Sequence, residues 1–298
     1  AGVALIMVFV PLLARRLGVN DAWAQWISAA NPLFTISFVA SGHNDALMVG
    51  LALAGTWCAL RAGHPLRPQR PGQSVAWGVA GVVLVTLSLG IKPITLVLLP
   101  FIGLLWAGPT ARWPRRFAFW ALTAGISFGL MALVGVLNGF GFGWVAVMVG
   151  TGTGTVPWGP IGMLSLITVG ASELFGQGAD VQAVEGVYKT AGRALSVLIV
   201  LALMFLGRQD RVMTRMTWAF TALVILSPII QPWYLLWLLP FFAVIGIRDN
   251  WQIKWVVFTV GYFLAFGASD QLFTWQFLDI ADQVKACLLY TSPSPRDK

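Results

Sequence analysis

Charge is the first thing this sequence lacks. Only 10% of its 298 residues are Asp, Glu, Lys or Arg, against about 25% in a soluble globular domain. Acidic residues are scarcer still, with 11 against 19 Lys and Arg. There are two histidines and two cysteines. Two cysteines as far apart as Cys58 and Cys287 make neither a disulfide framework nor a metal site, and Cys58, inside an apolar run, reads as a small core residue. A soluble enzyme, a disulfide scaffold and a disordered chain are excluded. What fills the chain instead is apolar: 58% hydrophobic, 13% aromatic, with mean hydropathy +0.79. The fold class expected is an all-α polytopic membrane protein. The net charge of +8 would suggest nucleic acid in a soluble protein, but in a membrane protein it marks basic cytoplasmic loops. No nucleic-acid partner is expected.

Apolar stretches run at about 22–41, 44–60, 74–90, 92–107, 117–137, 190–206, 216–230, 233–247 and 255–269. A tenth opens the chain and is only half the roughly 20 residues a spanning helix needs. Several others are short, as tilted, broken or re-entrant helices are. The sequence starts with Ala inside an apolar run, without a basic n-region or cleavage site. At the other end CLLYTSPSPRDK breaks from all that precedes it. The expectation is an internal fragment of a longer protein: one transmembrane domain over 1–286, and a non-native tail over 287–298.

The basic residues sort by alternate connections. Arg15 and Arg16; Arg61, Arg67 and Arg70; Arg112, Arg115 and Arg116; Arg208, Arg211 and Arg215; and Arg248 and Lys254 occupy every second loop. Asp45, Glu173, Asp180, Glu185, Asp270, Asp279 and Asp282 fall on the other side. The positive-inside rule makes the Arg-rich loops cytoplasmic. The opposite side carries a long Gly-rich, Trp-bearing outer loop over 138–189, in which residues 161–175 suit an amphipathic helix. No internal repeat is visible, which disfavours an inverted-repeat transporter.

Polar residues at membrane depth are costly and point to function. In NPLFTISFVASGHNDALMVG (31–50), a helix rises to the outer face, turns at Ser41 and Gly42, and a second helix returns. That puts His43, Asn44 and Asp45 at a helix N-terminus, where free N–H groups favour an anion. The plainer reading is that Asn44 or Asp45 caps the helix. Lys92, followed by Pro93, is the one cation between two apolar runs; it either binds phosphate as a point charge or snorkels to water. In LSPIIQPWYLLWLLP (226–240), prolines break the helix around Gln231, Trp233, Tyr234 and Trp237. Trp and Tyr suit a sugar site, and equally an interfacial aromatic belt. Trp158 in the outer loop joins the sugar-site candidates. No metal cluster and no cofactor motif are visible.

The NPL…GHNDAL motif, the Lys-Pro, the Gly/Trp-rich outer loop and SPIIQPWYLLW together resemble the polyprenol-phosphomannose-dependent α-1,6-mannosyltransferases of actinobacterial envelopes, within the GT-C glycosyltransferase superfamily. The resemblance covers about residues 20–247. It implies a GT-C-like bundle of about ten helices in the plasma membrane, active site outside. The implied reaction is an inverting, metal-independent and cofactor-free sugar transfer, most simply of mannose, from a polyprenyl-phosphate donor to a glycan or glycolipid acceptor. It places the catalytic carboxylate in a first outer loop, upstream of residue 1. His43 and Asp45 then have supporting roles, His43, Asn44 and Lys92 hold the donor phosphate, and Gln231, Trp233, Tyr234 and Trp158 contact sugar. Relatives often carry His near the PWY turn where this chain has Gln231. A secondary transporter or a non-catalytic subunit that binds lipid-linked sugar would use the same groups.

Overall fold

The structure, a computed structural model, describes residues 1–64, 70, 72–150, 159–176 and 178–277, apart from the side chains at 147–150 and 269–277. All regular structure among them is helical. The helices are α1 (Gly2–Arg16), α2 (Asp21–Ala29), α3 (Pro32–Phe34), α4 (Asp45–Gly63), α5 (Gln73–Ile91), α6 (Leu99–Ala107), α7 (Trp113–Leu137), α8 (Gly143–Gly150), α9 (Pro160–Leu174), α10 (Val181–Phe205), α11 (Val212–Ile225), α12 (Leu235–Ile245) and α13 (Trp251–Phe277). A π-helical segment, Thr35–Ala40, extends α3, and 3-10 turns at Pro93–Leu98 and Pro232–Tyr234 lead into α6 and α12. Four helices are long and apolar enough to cross a membrane by themselves: α4, α5, α7 and α10. The chain is a helical membrane protein.

The central helix is α4. It is apolar on all sides, and buried residues run along its length from Asp45 to Ala62; a helix without a polar face belongs in a core. Small residues bring its neighbours close. A Cβ at Gly55 would meet Val85 Cγ2 at 2.6 Å and the Gly81 carbonyl oxygen at 2.7 Å. The Ser88 hydroxyl ties α5 to α4 by donating to the Met48 carbonyl at 2.8 Å. In contrast, α7 and α10 bury 17% and 11% of their apolar windows. Their exposed Leu, Val and Phe side chains form surface that only lipid covers without cost.

Two expectations are corrected. The stretch 22–41 is not one helix: α2 stops at Ala29, and Asn31 starts a new helix by accepting from the Phe34 N–H at 2.9 Å, with Pro32 in its first turn. The stretch 138–189 is not a loop where it is described: it holds α8, α9 and the start of α10, which begins nine residues before the expected 190. The expected helix at 161–175 is α9. Apolar residues in that segment mark helices that pack, with α9 beside α10 through Thr168 and Tyr188, whose hydroxyls lie 2.8 Å apart. The tail at 287–298 lies outside the described residues.

The helix ends sort to two poles. At one, Trp23 donates to the Ile247 carbonyl, Gln209 to those of Leu104 and Gly108, and Arg16 lies near Arg61 and His64. At the other, His43, Lys92 and Trp233 meet.

Candidate functional site

The His43 turn is built by the π-helical segment before it. Ser41 N–H and Oγ both donate to the Ile36 carbonyl, and His43 N–H donates to Ser37 O at 3.2 Å. Gly42 has φ +62°, a conformation that a Cβ disfavours. The chain then enters α4 with no side-chain cap: Asn44 makes no capping hydrogen bond, and neither Asp45 oxygen accepts one from any described residue. The capping reading of this motif therefore does not describe the fold.

Asp45 is 1% exposed. Lys92 Nζ lies 3.6 Å from Oδ1 and His43 Nδ1 lies 3.8 Å from Oδ2, with both partners about one-third exposed. A carboxylate this buried is stable only beside opposite charge, and here the cation stands off at ion-pair rather than hydrogen-bond distance. Neither oxygen meets a hydrogen-bond donor among the described residues, so the lone pairs of Asp45 are unfilled although the carboxylate is sealed from solvent. Lys92 is fixed by its place in the chain. It ends α5, its N–H donating to Ser88 O at 3.1 Å, and Pro93 holds it extended.

Trp233 stacks on His43, with ring centroids 4.3 Å apart and planes 25° apart. Tyr234 stacks on Trp237 at 3.6 Å. The indole N–H groups of Trp233 and Trp237 are buried with no acceptor among the described residues. Gln231 precedes the 3-10 turn as its N-cap without a side-chain hydrogen bond. Among the expected site residues the structure thus joins His43, Asp45, Lys92 and Trp233 directly, with Tyr234 next in line. Asn44 borders the cluster through the chain alone, and Trp158 lies outside the described residues.

A cavity of about 690 Å³ opens beside Lys92. Lys92, Arg193, Ser196, Ser227, Tyr234 and Trp237 supply its polar lining, while Leu96, Val97, Leu201 and Leu223 supply apolar wall. A second cavity of about 460 Å³ shares Leu96 and Pro100 with it and runs against α7 past Trp120 and Phe128. Arg193 escaped the sequence reading because it sits inside the stretch taken as the apolar span 190–206. An ionisable residue within such a run was the available signal. Among the described residues no three His, Cys, Asp or Glu side chains gather as a metal site would require.

This arrangement resembles known sequences at both ends of the chain. A family profile described as "Alpha-(1->6)-mannopyranosyltransferase, N-terminal domain" matches residues 1–108. A second, "MptB C-terminal domain", matches residues 161–292. A probable alpha-(1->6)-mannopyranosyltransferase of Mycolicibacterium smegmatis is 34% identical over 79% of this chain and 45% of the relative. An alpha-(1->6)-mannopyranosyltransferase of Mycobacterium tuberculosis is 31% identical over 93% of this chain and 54% of the relative. Alpha-(1->6)-mannopyranosyltransferase A of Corynebacterium glutamicum is 24% identical over 74% of this chain. The chain spans about half the length of the curated relatives it matches. No solved structure matches it. With both profiles matched and the GHND, Lys-Pro and PWY motifs gathered at one pole, the chain belongs to the alpha-(1->6)-mannopyranosyltransferase family.

Proposed function

We propose that the protein is a membrane glycosyltransferase that moves mannose from a polyprenyl-phosphate donor to a glycan or glycolipid acceptor at the outer face of the plasma membrane. The observation that carries this reading is Asp45: a buried carboxylate with no hydrogen-bond donor among the described residues, held between a lysine and an imidazole whose ring stacks on an indole. A carboxylate with unfilled lone pairs close to aromatic side chains suits sugar hydroxyls, and the relatives' printed names support mannose as that sugar.

The reaction is an inverting displacement that uses neither metal nor cofactor. The acceptor hydroxyl attacks the anomeric carbon, the bond from that carbon to the phosphate oxygen breaks, and the lipid phosphate departs with the electron pair. Lys92, with His43 and Asn44 at the start of α4, faces the phosphate and stabilises the charge that develops on it. Asp45 keeps Lys92 and His43 in place and accepts from a sugar hydroxyl, while Trp233 and Tyr234, with Gln231 and Trp158 at the margin, border the sugar. The general base belongs, by the resemblance, to a carboxylate of the family's first outer loop.

The test is transfer itself. The full-length protein in proteoliposomes, given polyprenyl-phosphate mannose and a mannosylated acceptor, should lengthen the acceptor by one mannose. Movement of the lipid-linked sugar across the bilayer without transfer would establish a transporter instead.

A further inference from the structure

We infer that Arg193 and the indole N–H of Trp237 complete the phosphate seat from the groove side, opposite the GHND turn, with Lys92 shared by both sides. The inference rests on the reading of a lipid-phosphate donor given above. Lys92 is the junction: it reaches Asp45 at 3.6 Å and also lines the 690 Å³ cavity, whereas His43, Asn44 and Asp45 do not line that cavity. An anion lying in the groove therefore meets Lys92 first, and the next cation on the wall is Arg193. Arg193 stands midway along α10, one turn beyond Lys189 of the Glu185–Lys189 ion pair and just before the helix turns mostly apolar. Its planar guanidinium fork matches two phosphate oxygens at once.

Trp237 adds an independent sign. It is 2% exposed, it lines the same cavity, and its N–H has no acceptor among the described residues. A buried donor left without an acceptor points to a missing acceptor. Asp45 would repel a phosphate on direct approach; Lys92 stands between the two. The apolar wall beyond, continuous through Leu96 and Pro100 with the second cavity, suits a phosphate that carries a long hydrocarbon chain over a free one.

The experiment measures binding to the full-length protein in lipid nanodiscs, with undecaprenyl phosphate, undecaprenol and inorganic phosphate as probes. Arg193→Gln should weaken undecaprenyl phosphate about tenfold or more, the scale of a hydrogen bond to a charged group. Arg193→Lys should recover part of that loss, and Trp237→Phe should lose about threefold or more with packing kept. Undecaprenol binding should be indifferent to Arg193→Gln, inorganic phosphate should bind far more weakly than the lipid phosphate, and Arg112→Gln, a cation at the opposite pole, should change nothing. If Arg193→Gln does not fold, Arg193→Lys and Trp237→Phe carry the test. Equal binding of undecaprenyl phosphate by the wild type and these variants overturns the seat, as does inorganic phosphate bound as tightly as the lipid. In transfer assays the seat predicts a raised donor KM for Arg193→Lys with acceptor KM unchanged. Binding that depends on Arg193 in a protein that transfers no sugar would leave the seat standing and refute the transferase reading. Transfer with an unchanged donor KM would do the reverse.

Discussion

Asp45 and Lys92 form a pair in which one member is sealed from water and the other is not. Removing the cation alone strands the buried carboxylate, so Lys92→Met should destabilise the fold even though the lysine stem is one-third exposed. Adding Asp45→Asn should return about 1–3 kcal/mol of that loss, the range of coupling seen between contacting residues. Thermal unfolding of the four proteins in detergent measures this, and strictly additive effects would dissolve the pair. At the opposite pole His64 sits after the last turn of α4, and burial together with the nearby Arg16 guanidinium holds its imidazole below the ordinary histidine range. The unfolded chain then takes up the proton first. Stability should be full above about pH 6.5 and fall as the pH drops below it, and His64→Gln should flatten that decline. The single residues of the site were legible in the sequence because ionisable and aromatic side chains stand out in apolar runs. Their partners were not: His43 and Trp233 stack because α4 and α12 converge, which no local pattern encodes. Arg193 was hidden by the same composition that identified its helix.

Element positions were readable wherever charge gaps bounded an apolar run, and α4, α5, α7 and α11 fall close to their expected places. Breaks inside runs were not readable in the same way. Asn31 and Pro32 split the stretch 22–41 because a side-chain cap and a ring at the first turn outweigh continuous hydrophobicity. The Gly-rich stretch after residue 138 reads as loop from composition, but α9 and α10 form there and pack on each other, as the Thr168–Tyr188 contact shows. Where helices touch, glycine is a spacer. A Cβ at Gly81 would lie 2.9 Å from the Gly55 carbonyl oxygen and 3.1 Å from Ala59 N. Gly81→Val should therefore cost about 1–3 kcal/mol of stability, as overpacking does. Gly90, on the same helix with nothing within 4 Å of its Cβ position, should accept Ala with no loss and a gain of up to about 1 kcal/mol. Melting temperatures of the two variants decide it; equal losses at both sites would contradict this packing of α4 on α5.

Across the whole molecule the basic loops and the candidate site occupy opposite poles, as the alternation of charge along the sequence foretold. In a background with Cys58 and Cys287 replaced, cysteines at Gly42 and Gly178 should react with an impermeant thiol reagent outside intact cells, and one at Thr110, in the loop between α6 and α7, should not. Labelling of Thr110 from outside would invert the molecule and put the site in the cytoplasm. The proposed role of the buried carboxylate at this pole is sugar transfer, beyond its pairing with Lys92. Asp45→Asn preserves size and removes charge, so the measurement is mannose transfer by the full-length Asp45→Asn protein, normalised to the amount inserted and to its melting temperature. Transfer should fall by roughly 100-fold or more, the scale of a charge-stabilising or proton-handling group, with insertion unchanged. Full activity in that variant would contradict the account.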